Sequence, residues 1–200
     1  MSYYDDAQNV ASYIEMADGY DGAALVEVLT KYLPAGSTVL ELGMGPGKDL
    51  ALLAERYAVT GSDASTQFLD LHRADHPDAD LLQLDAATLT TERTFDGIYS
   101  NKVLYHLTVD ELRQSFERQA AVLNPHGIAL HSFWRGEGEE NLHGLHFVYY
   151  DIERLTALVP RTFQILEVSL YREMEEDDSI CLVLQRLGSE AGQAMSTGVA

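Results

Sequence analysis

The chain has 200 residues, 46% of them apolar, and its 32 acidic against 13 basic residues give a formal net charge of −19. That size and apolar fraction fit one globular domain with a real core. The charge argues against a nucleic-acid partner, since phosphate binding needs clustered Lys and Arg and the lysines are Lys31, Lys48 and Lys102 alone. No apolar run approaches the roughly 20 residues of a membrane helix, so no membrane partner is expected. The acidic, polar Met1–Val10 stretch does not read as a secretory leader. The single Cys181 leaves no internal disulfide and fits a reducing compartment, so a cytoplasmic location is expected. Within the apolar Ile180–Leu184 run, Cys181 reads as a buried structural thiol.

In chain order, Met1–Tyr20 carries Tyr3, Tyr4, Tyr13 and Tyr20 among acids and small residues. Gly22–Tyr32 reads as a helix with Leu25, Val28, Leu29 and Tyr32 on one face, stopped by Pro34 and Gly36. Residues 1–35 are expected to form a helical cap over the site. Val39, Leu40 and Leu42 form a short apolar run of the kind a doubly covered parallel strand needs. It ends in Gly43-Met44-Gly45-Pro46-Gly47, which opens a helix with Leu50, Leu53, Ala54 and Tyr57 at helical spacing. A strand, a glycine turn and a helix form the front half of a nucleotide-type site. Counted from Gly43, the dinucleotide pattern G-x-G-x-x-G would need its third glycine where Lys48 stands.

Ala58–Ser62 reads as a second strand, ending at Asp63, and Ser65 as the cap of a helix to about Ala74. After the His76-Pro77-Asp78 turn, Leu81–Leu84 reads as a third strand, ending at Asp85. Phe95–Ser100 is the fourth, with Asn101 at its end. Thr108-x-x-Glu111 is a capping box for a helix to about Leu123, Asn124–Gly127 a turn, and Ile128–Phe133 a fifth strand. Trp134–His146 reads as a loop, and Asp151–Leu158 as a short helix. Thr162–Leu170 and Ser179–Arg186 read as two strands joined by the acidic link Glu173–Asp178. Residues 1–187 form one domain in this reading, and 188–200, small and polar, are expected to be a disordered tail.

Alternating strands and helices imply an α/β fold, a doubly wound, mostly parallel sheet with helices on both faces. With no helix between them, the last two strands should pair as an antiparallel hairpin at one edge. Ligands of such sheets bind beyond the carboxyl ends of the strands, which picks out Glu41–Gly47, Asp63, Asp85, Asn101 and Trp134. Asp63, twenty residues after Gly43, can accept from both hydroxyls of a ribose, or serve as a helix-entry cap. Asp85, followed by Ala86 and Ala87, can accept from an adenine amine beside small residues, or act as a turn residue.

Together these residues resemble the class I S-adenosylmethionine-dependent methyltransferases, in particular small stand-alone domains of type 11 or type 12. Glu41-Leu42-Gly43-Met44-Gly45-Pro46-Gly47 is similar to the family's E-x-G-x-G-x-G motif. Gly61–Ser65, Leu84-Asp85-Ala86 and Phe95–Asn101 are similar to its second-strand, adenine and fourth-strand motifs. Val122–Gly127 is similar to its turn before strand five, with His126 in place of a glycine. The resemblance implies a Rossmann-like sheet of seven strands, order 3-2-1-4-5-7-6 with strand 7 antiparallel. It implies S-adenosyl-L-methionine as cofactor and S-adenosyl-L-homocysteine as its product. Glu41, Gly43, Met44, Gly45 and Gly47 would face the methionine portion, Asp63 and Ala64 the ribose, Asp85 and Ala86 the adenine, and Asn101 the amino group.

Methyl transfer from a sulfonium is mainly a matter of positioning, worth roughly 7–11 kcal/mol of the barrier. The acceptor site is expected among the N-terminal segment and the loops after strands four and five, which offer Tyr4, Tyr13, Tyr105, His106, Trp134 and His146, with Tyr3, His143, Tyr149 and Tyr150 nearby in sequence. His106 is the candidate general base or a packing histidine. His143-x-x-His146 is weak as a metal half-site, and no metal is expected. Ser100-Asn101-Lys102-Val103 lacks the Asn-Pro-Pro-Tyr pattern of nucleobase amine methylation. A small-molecule acceptor is expected, on a monomer or homodimer. Two rivals remain: an NAD-dependent oxidoreductase, disfavoured by Lys48 and by the lack of a Tyr-x-x-x-Lys pair, and a non-enzymatic S-adenosylmethionine-binding protein of the same fold.

Overall fold

A computed structural model describes residues 3–17, 19–142 and 144–188. The expected tail from residue 189 on, and His143 of the weak metal half-site, lie outside the described residues. After α1 (Ala7–Met16) and α2 (Ala23–Thr30) the chain enters the alternating β1 (Thr38–Leu42), α3 (Lys48–Ala54), β2 (Ala58–Asp63), α4 (Thr66–Asp75), β3 (Leu81–Gln83) and β4 (Phe95–Asn101). Then come α5 (Val109–Val122), β5 (Leu123–Trp134), β6 (Glu139–Leu142), β7 (Leu145–Val148), α6 (Ile152–Thr156), β8 (Phe163–Tyr171) and β9 (Ser179–Arg186).

Seven strands form one sheet in the order β3-β2-β1-β4-β5-β9-β8. The first five are mutually parallel, and β9 runs antiparallel to both β5 and β8. This is the Rossmann-like order implied by the resemblance, with β9 and β8 as its strands 7 and 6. Strand β1 shows why the sheet is covered on both sides. Leu40 and Leu42 pack in one core with Leu112 and Phe116 of α5. Val39, pointing the other way, packs with Leu25 and Leu29 of α2 and Leu53 of α3. Burying each such side chain is worth roughly 1.5–3 kcal/mol.

The capping box holds: the Glu111 N–H donates to Thr108 Oγ1 and the Thr108 N–H to Glu111 Oε2. Three local expectations are corrected. Ser65 occupies the N-cap of α4, yet its hydroxyl donates to the Tyr4 carbonyl at 2.6 Å and caps nothing. Residues 124–127 are not a free turn before β5 but an irregular stretch within it, where the register against β4 shifts and His126 takes φ +66°. The stretch read as a loop, Trp134–His146, holds β6 and the start of β7, which pair as a separate two-stranded sheet. Its first strand, Glu139–Leu142, is exposed throughout, so it carries none of the apolar alternation that marks a strand in sequence.

Candidate functional site

Two adjoining cavities lie beyond the carboxyl ends of β1, β2, β4 and β5. One, of about 270 Å³, is lined by Tyr4, Asp63, Ala64, Phe68, Asp85, Ala86 and His106. The other, of about 200 Å³, is lined by Glu41, Met44, Asp49, Asn101, Tyr105 and Trp134. Tyr13, Gly43, Gly45 and Lys102 line both.

The turn between β1 and α3 forms the floor between them. Gly43, Gly45 and Gly47 all have positive φ, at +65°, +51° and +86°. A Cβ on Gly43 would come within 2.6 Å of Val103, and one on Gly47 within 2.5 Å of the His72 ring. At Gly45 a Cβ would meet only Tyr13, at 3.7 Å. Two of the glycines therefore serve packing, and the third leaves backbone open to the cavity.

Asp63 is buried at the end of β2. Its Oδ2 accepts from Gly45 N–H at 3.0 Å and its Oδ1 from Ser65 N–H at 2.9 Å. Burial raises its pKa, and those backbone donors pull against the rise. Asp85 Oδ1 accepts from the Ala87 and Thr88 N–H groups at 2.9 and 3.0 Å. It is thus a turn residue and a cavity-lining residue at once.

Glu41 is fully enclosed on β1, and its Oε2 has no hydrogen-bond partner. Burial, then the nearby charges of Asp49 and Asp63, push its pKa well above the usual carboxyl range. Asn101 does not offer a free amide. Its Nδ2 donates to Asp49 Oδ2 at 3.0 Å, and its Oδ1 accepts from Ser132 Oγ at 2.6 Å.

Sequence reasoning missed Asp49. Its carboxylate also accepts from Gly22 N–H and from the Tyr99 hydroxyl, each at 2.7 Å. It thereby fixes the start of α2 against the end of β4. The available signal was an acid in the first turn of a helix that follows a glycine turn, where the helix dipole favours it.

Lys102 was also missed. It takes φ +53° just past β4. Its ammonium donates to the Phe133 carbonyl at 3.0 Å and to Ser179 Oγ at 2.6 Å, and lies 3.7 Å from the centre of the Trp134 ring. Burial pulls its pKa down to about 8, against the raising effect of Glu173 and Asp178.

The expected aromatic residues divide. Tyr4, Tyr13 and Phe68 form a cluster with ring centres 5.4–5.7 Å apart; burial raises the phenol pKa of both tyrosines. Tyr105 and Trp134 line the smaller cavity. The His106 ring lies in the larger one, its Nδ1 donating to the His146 carbonyl at 2.8 Å. That bond leaves Nε2 as the lone-pair nitrogen, and burial lowers the ring's pKa. The His146 ring turns to Asn141 Oδ1 at 3.3 Å and lines neither cavity, so its link to the site is that carbonyl. Tyr150 is buried in the core, and Tyr149 donates to Glu140.

A family model described as a methyltransferase domain matches residues 39–127. Over that span, a little under half of the chain, the sequence is similar to a methyltransferase domain. A trans-aconitate 2-methyltransferase of Methylobacterium radiotolerans is 37% identical over 102 residues, 50% of this chain and 39% of that protein. One of Escherichia coli is 28% identical over 137 residues, 57% of this chain and 53% of that protein. The chain thus spans about half or less of the length of the curated relatives it matches. Among solved structures, an S-adenosylmethionine-dependent methyltransferase from Clostridium acetobutylicum shares the fold at TM-score 0.74 and 13% identity, covering 92% of this chain and 100% of that one. The N-methyltransferase NodS from Bradyrhizobium japonicum, in complex with S-adenosyl-L-homocysteine, does so at 0.67 and 14%, covering 86% and 90%. The matched span runs from β1 into the irregular start of β5. It includes the glycine turn, Asp63, Asp85, Asn101 and Lys102. Tyr4, Tyr13, Trp134 and the β8–β9 link lie outside it.

Proposed function

We propose that the chain is an S-adenosyl-L-methionine-dependent methyltransferase acting on a small-molecule acceptor. The observation that carries this reading is the pair of joined cavities over an open glycine turn, with a carboxylate at each station from Asp85 through Asp63 to Glu41. Asp85 and Ala86 would hold the adenine, Asp63 and Ala64 the ribose, and Gly43, Met44 and Gly45 the methionine portion, while Gly47, which lines neither cavity, packs the turn against His72. The orphan Glu41 oxygen would accept from a buried cationic group, which removes the cost of leaving it unpaired. Bound there, the cofactor would supply a methyl group on a sulfonium leaving group.

The chain's own residues would position and enclose. Residues 1–35 would act as a cap, with Tyr13 of α1 on both cavities and the Ser65–Tyr4 bond holding the segment down. Asn101 would act through Asp49. Tyr4, Tyr13, Tyr105 and Trp134 would wall the acceptor, with His146 acting through its carbonyl on His106. His106 would be the base, through Nε2, for an acceptor that must lose a proton first. Trans-aconitate, named for the relatives, is one acceptor to compare.

The test is calorimetric titration with S-adenosylmethionine, S-adenosylhomocysteine and NAD, on the native chain and on Asp63→Ala with folding checked by circular dichroism. Micromolar binding of the first two, at least tenfold weaker in the folded variant, is the expected result. Binding of NAD alone would overturn the reading.

A further inference from the structure

The smaller cavity has a lining that the reading above does not use. Besides Glu41 and Asp49, it is lined by Asp21 before α2 and Glu173 after β8. The two lysines on it are committed to the protein. Lys48 donates to the Ala17 carbonyl at 2.9 Å, and Lys102 to the Phe133 carbonyl, Ser179 and the Trp134 ring. The mouth is apolar: Met16, Met174 and Tyr20 line it and are 69, 55 and 45% exposed. Surface that apolar, gathered at a cavity, is the mark of a ligand with an apolar body. No histidine is among the described lining residues of this cavity.

We infer that the methyl acceptor is an amine carried on an apolar, aromatic-sized body, and not a polycarboxylate. The inference rests on the methyltransferase reading and deepens it. Charge decides between the two classes. A polycarboxylate would bring further anions beside Asp21, Asp49 and Glu173, and the two lysines among the described lining residues are already held by the protein's own oxygens, so like charges in a partly desolvated site would repel. An amine meets the opposite situation. Its ammonium form is attracted by Asp21 and Glu173 and by the faces of Tyr105 and Trp134, while its hydrocarbon body replaces water against Met16, Tyr20 and Met174.

Attack on the methyl needs the nitrogen lone pair, so the bound ammonium first gives up its proton, to the Glu173 carboxylate or to water. The lone pair of the free amine forms the new carbon–nitrogen bond as the methyl–sulfur bond breaks. The electron pair of that bond stays on sulfur, giving the thioether S-adenosylhomocysteine. The positive charge passes from sulfur to nitrogen, and the N-methylammonium product gives up its proton to water. Carboxylates placed where the charge arrives stabilise it as it develops.

The test uses the full chain saturated with S-adenosylhomocysteine, titrated calorimetrically with 2-phenylethylamine, 3-phenylpropionate and trans-aconitate. Product formation from S-adenosylmethionine is followed in parallel by mass spectrometry. The amine is expected to bind at least tenfold more tightly than its acid counterpart and to be methylated on nitrogen, with trans-aconitate unmodified. Glu173→Gln should weaken the amine several-fold and leave S-adenosylhomocysteine affinity as it was. Equal or tighter binding of either acid, methylation of trans-aconitate, or no binding of the amine overturns this inference while the cofactor reading stands. Failure of S-adenosylhomocysteine to bind the native chain overturns both.

Discussion

Glu41 binds its proton more tightly than a free carboxyl does, for a reason that can be measured. Burial and the charges of Asp49 and Asp63 raise its pKa well above 4.5. A carboxyl raised in the folded state binds its proton more tightly there than in the unfolded chain. Its stabilising effect is therefore fully present below about pH 4.5 and is lost as pH climbs through the folded value. Asp63, raised from 3.8 by burial, acts in the same sense. Urea midpoints should thus fall as pH rises above about 4.5 and through the raised folded values, and Glu41→Gln should flatten that fall. A slope identical in the variant would assign the effect to other groups.

The same residues show what a sequence can carry. Asp63 and the glycine turn are legible because their meaning lies in their place at strand ends. Asp49 and Lys102 are not, because their meaning lies in distant partners. Gly22 and Tyr99 stand 27 and 50 positions from Asp49, and Ser179 stands 77 from Lys102. Asn101 was found by position, but the direction of its amide was set by Asp49 and Ser132.

At the scale of elements, α5 and β5 are joined by a chain of buried hydrogen bonds that reaches the cavity. Ser100 Oγ and His131 Nδ1 are 2.8 Å apart, and His131 Nε2 and Gln119 Oε1 also 2.8 Å. Gln119 Nε2 donates to Ser115 Oγ at 3.1 Å, and Ser115 donates to the Ala86 carbonyl at 2.6 Å. With Gln119 donating to Ser115, its oxygen takes the His131 Nε2–H, and Nδ1 accepts from Ser100. Burial keeps the ring neutral by lowering its pKa to about 3. Gln119→Leu would leave a buried ring N–H without an acceptor, at a cost of about 1–3 kcal/mol. Chemical denaturation should register that loss. Cofactor affinity should also fall, because the chain holds the backbone at Ala86. Helix α5 itself was legible from its capping box. The β6–β7 hairpin was not, since strand formation there comes from backbone pairing on a solvated surface.

For the whole molecule, the charge of −19 is a standing repulsion in the folded state. The ion pairs among the described residues, such as Arg73–Asp70 and Arg113–Asp110, are exposed and contribute little. Raising salt from about 20 to about 500 mM should therefore raise the thermal midpoint, as screening shortens the reach of the repulsion. A midpoint that falls instead would show that attractive pairs dominate. The alternation of strands and helices made the layered fold legible. The order of strands came from the resemblance, because pairing between β5 and β9 joins residues that no local pattern relates.

Strand β9 sits between β5 and β8 in the finished sheet, although it is the last strand in sequence among the described residues. Its centre, Cys181–Leu184, is fully enclosed. On a ribosome, β5 is complete at Trp134, and its partner begins only at Ser179, 45 residues later. At roughly 5–20 residues per second the delay is about 2–9 s. For that interval a nascent chain carries an apolar strand with an unpaired edge, so the step most open to mispairing during synthesis is the wait for its final strand.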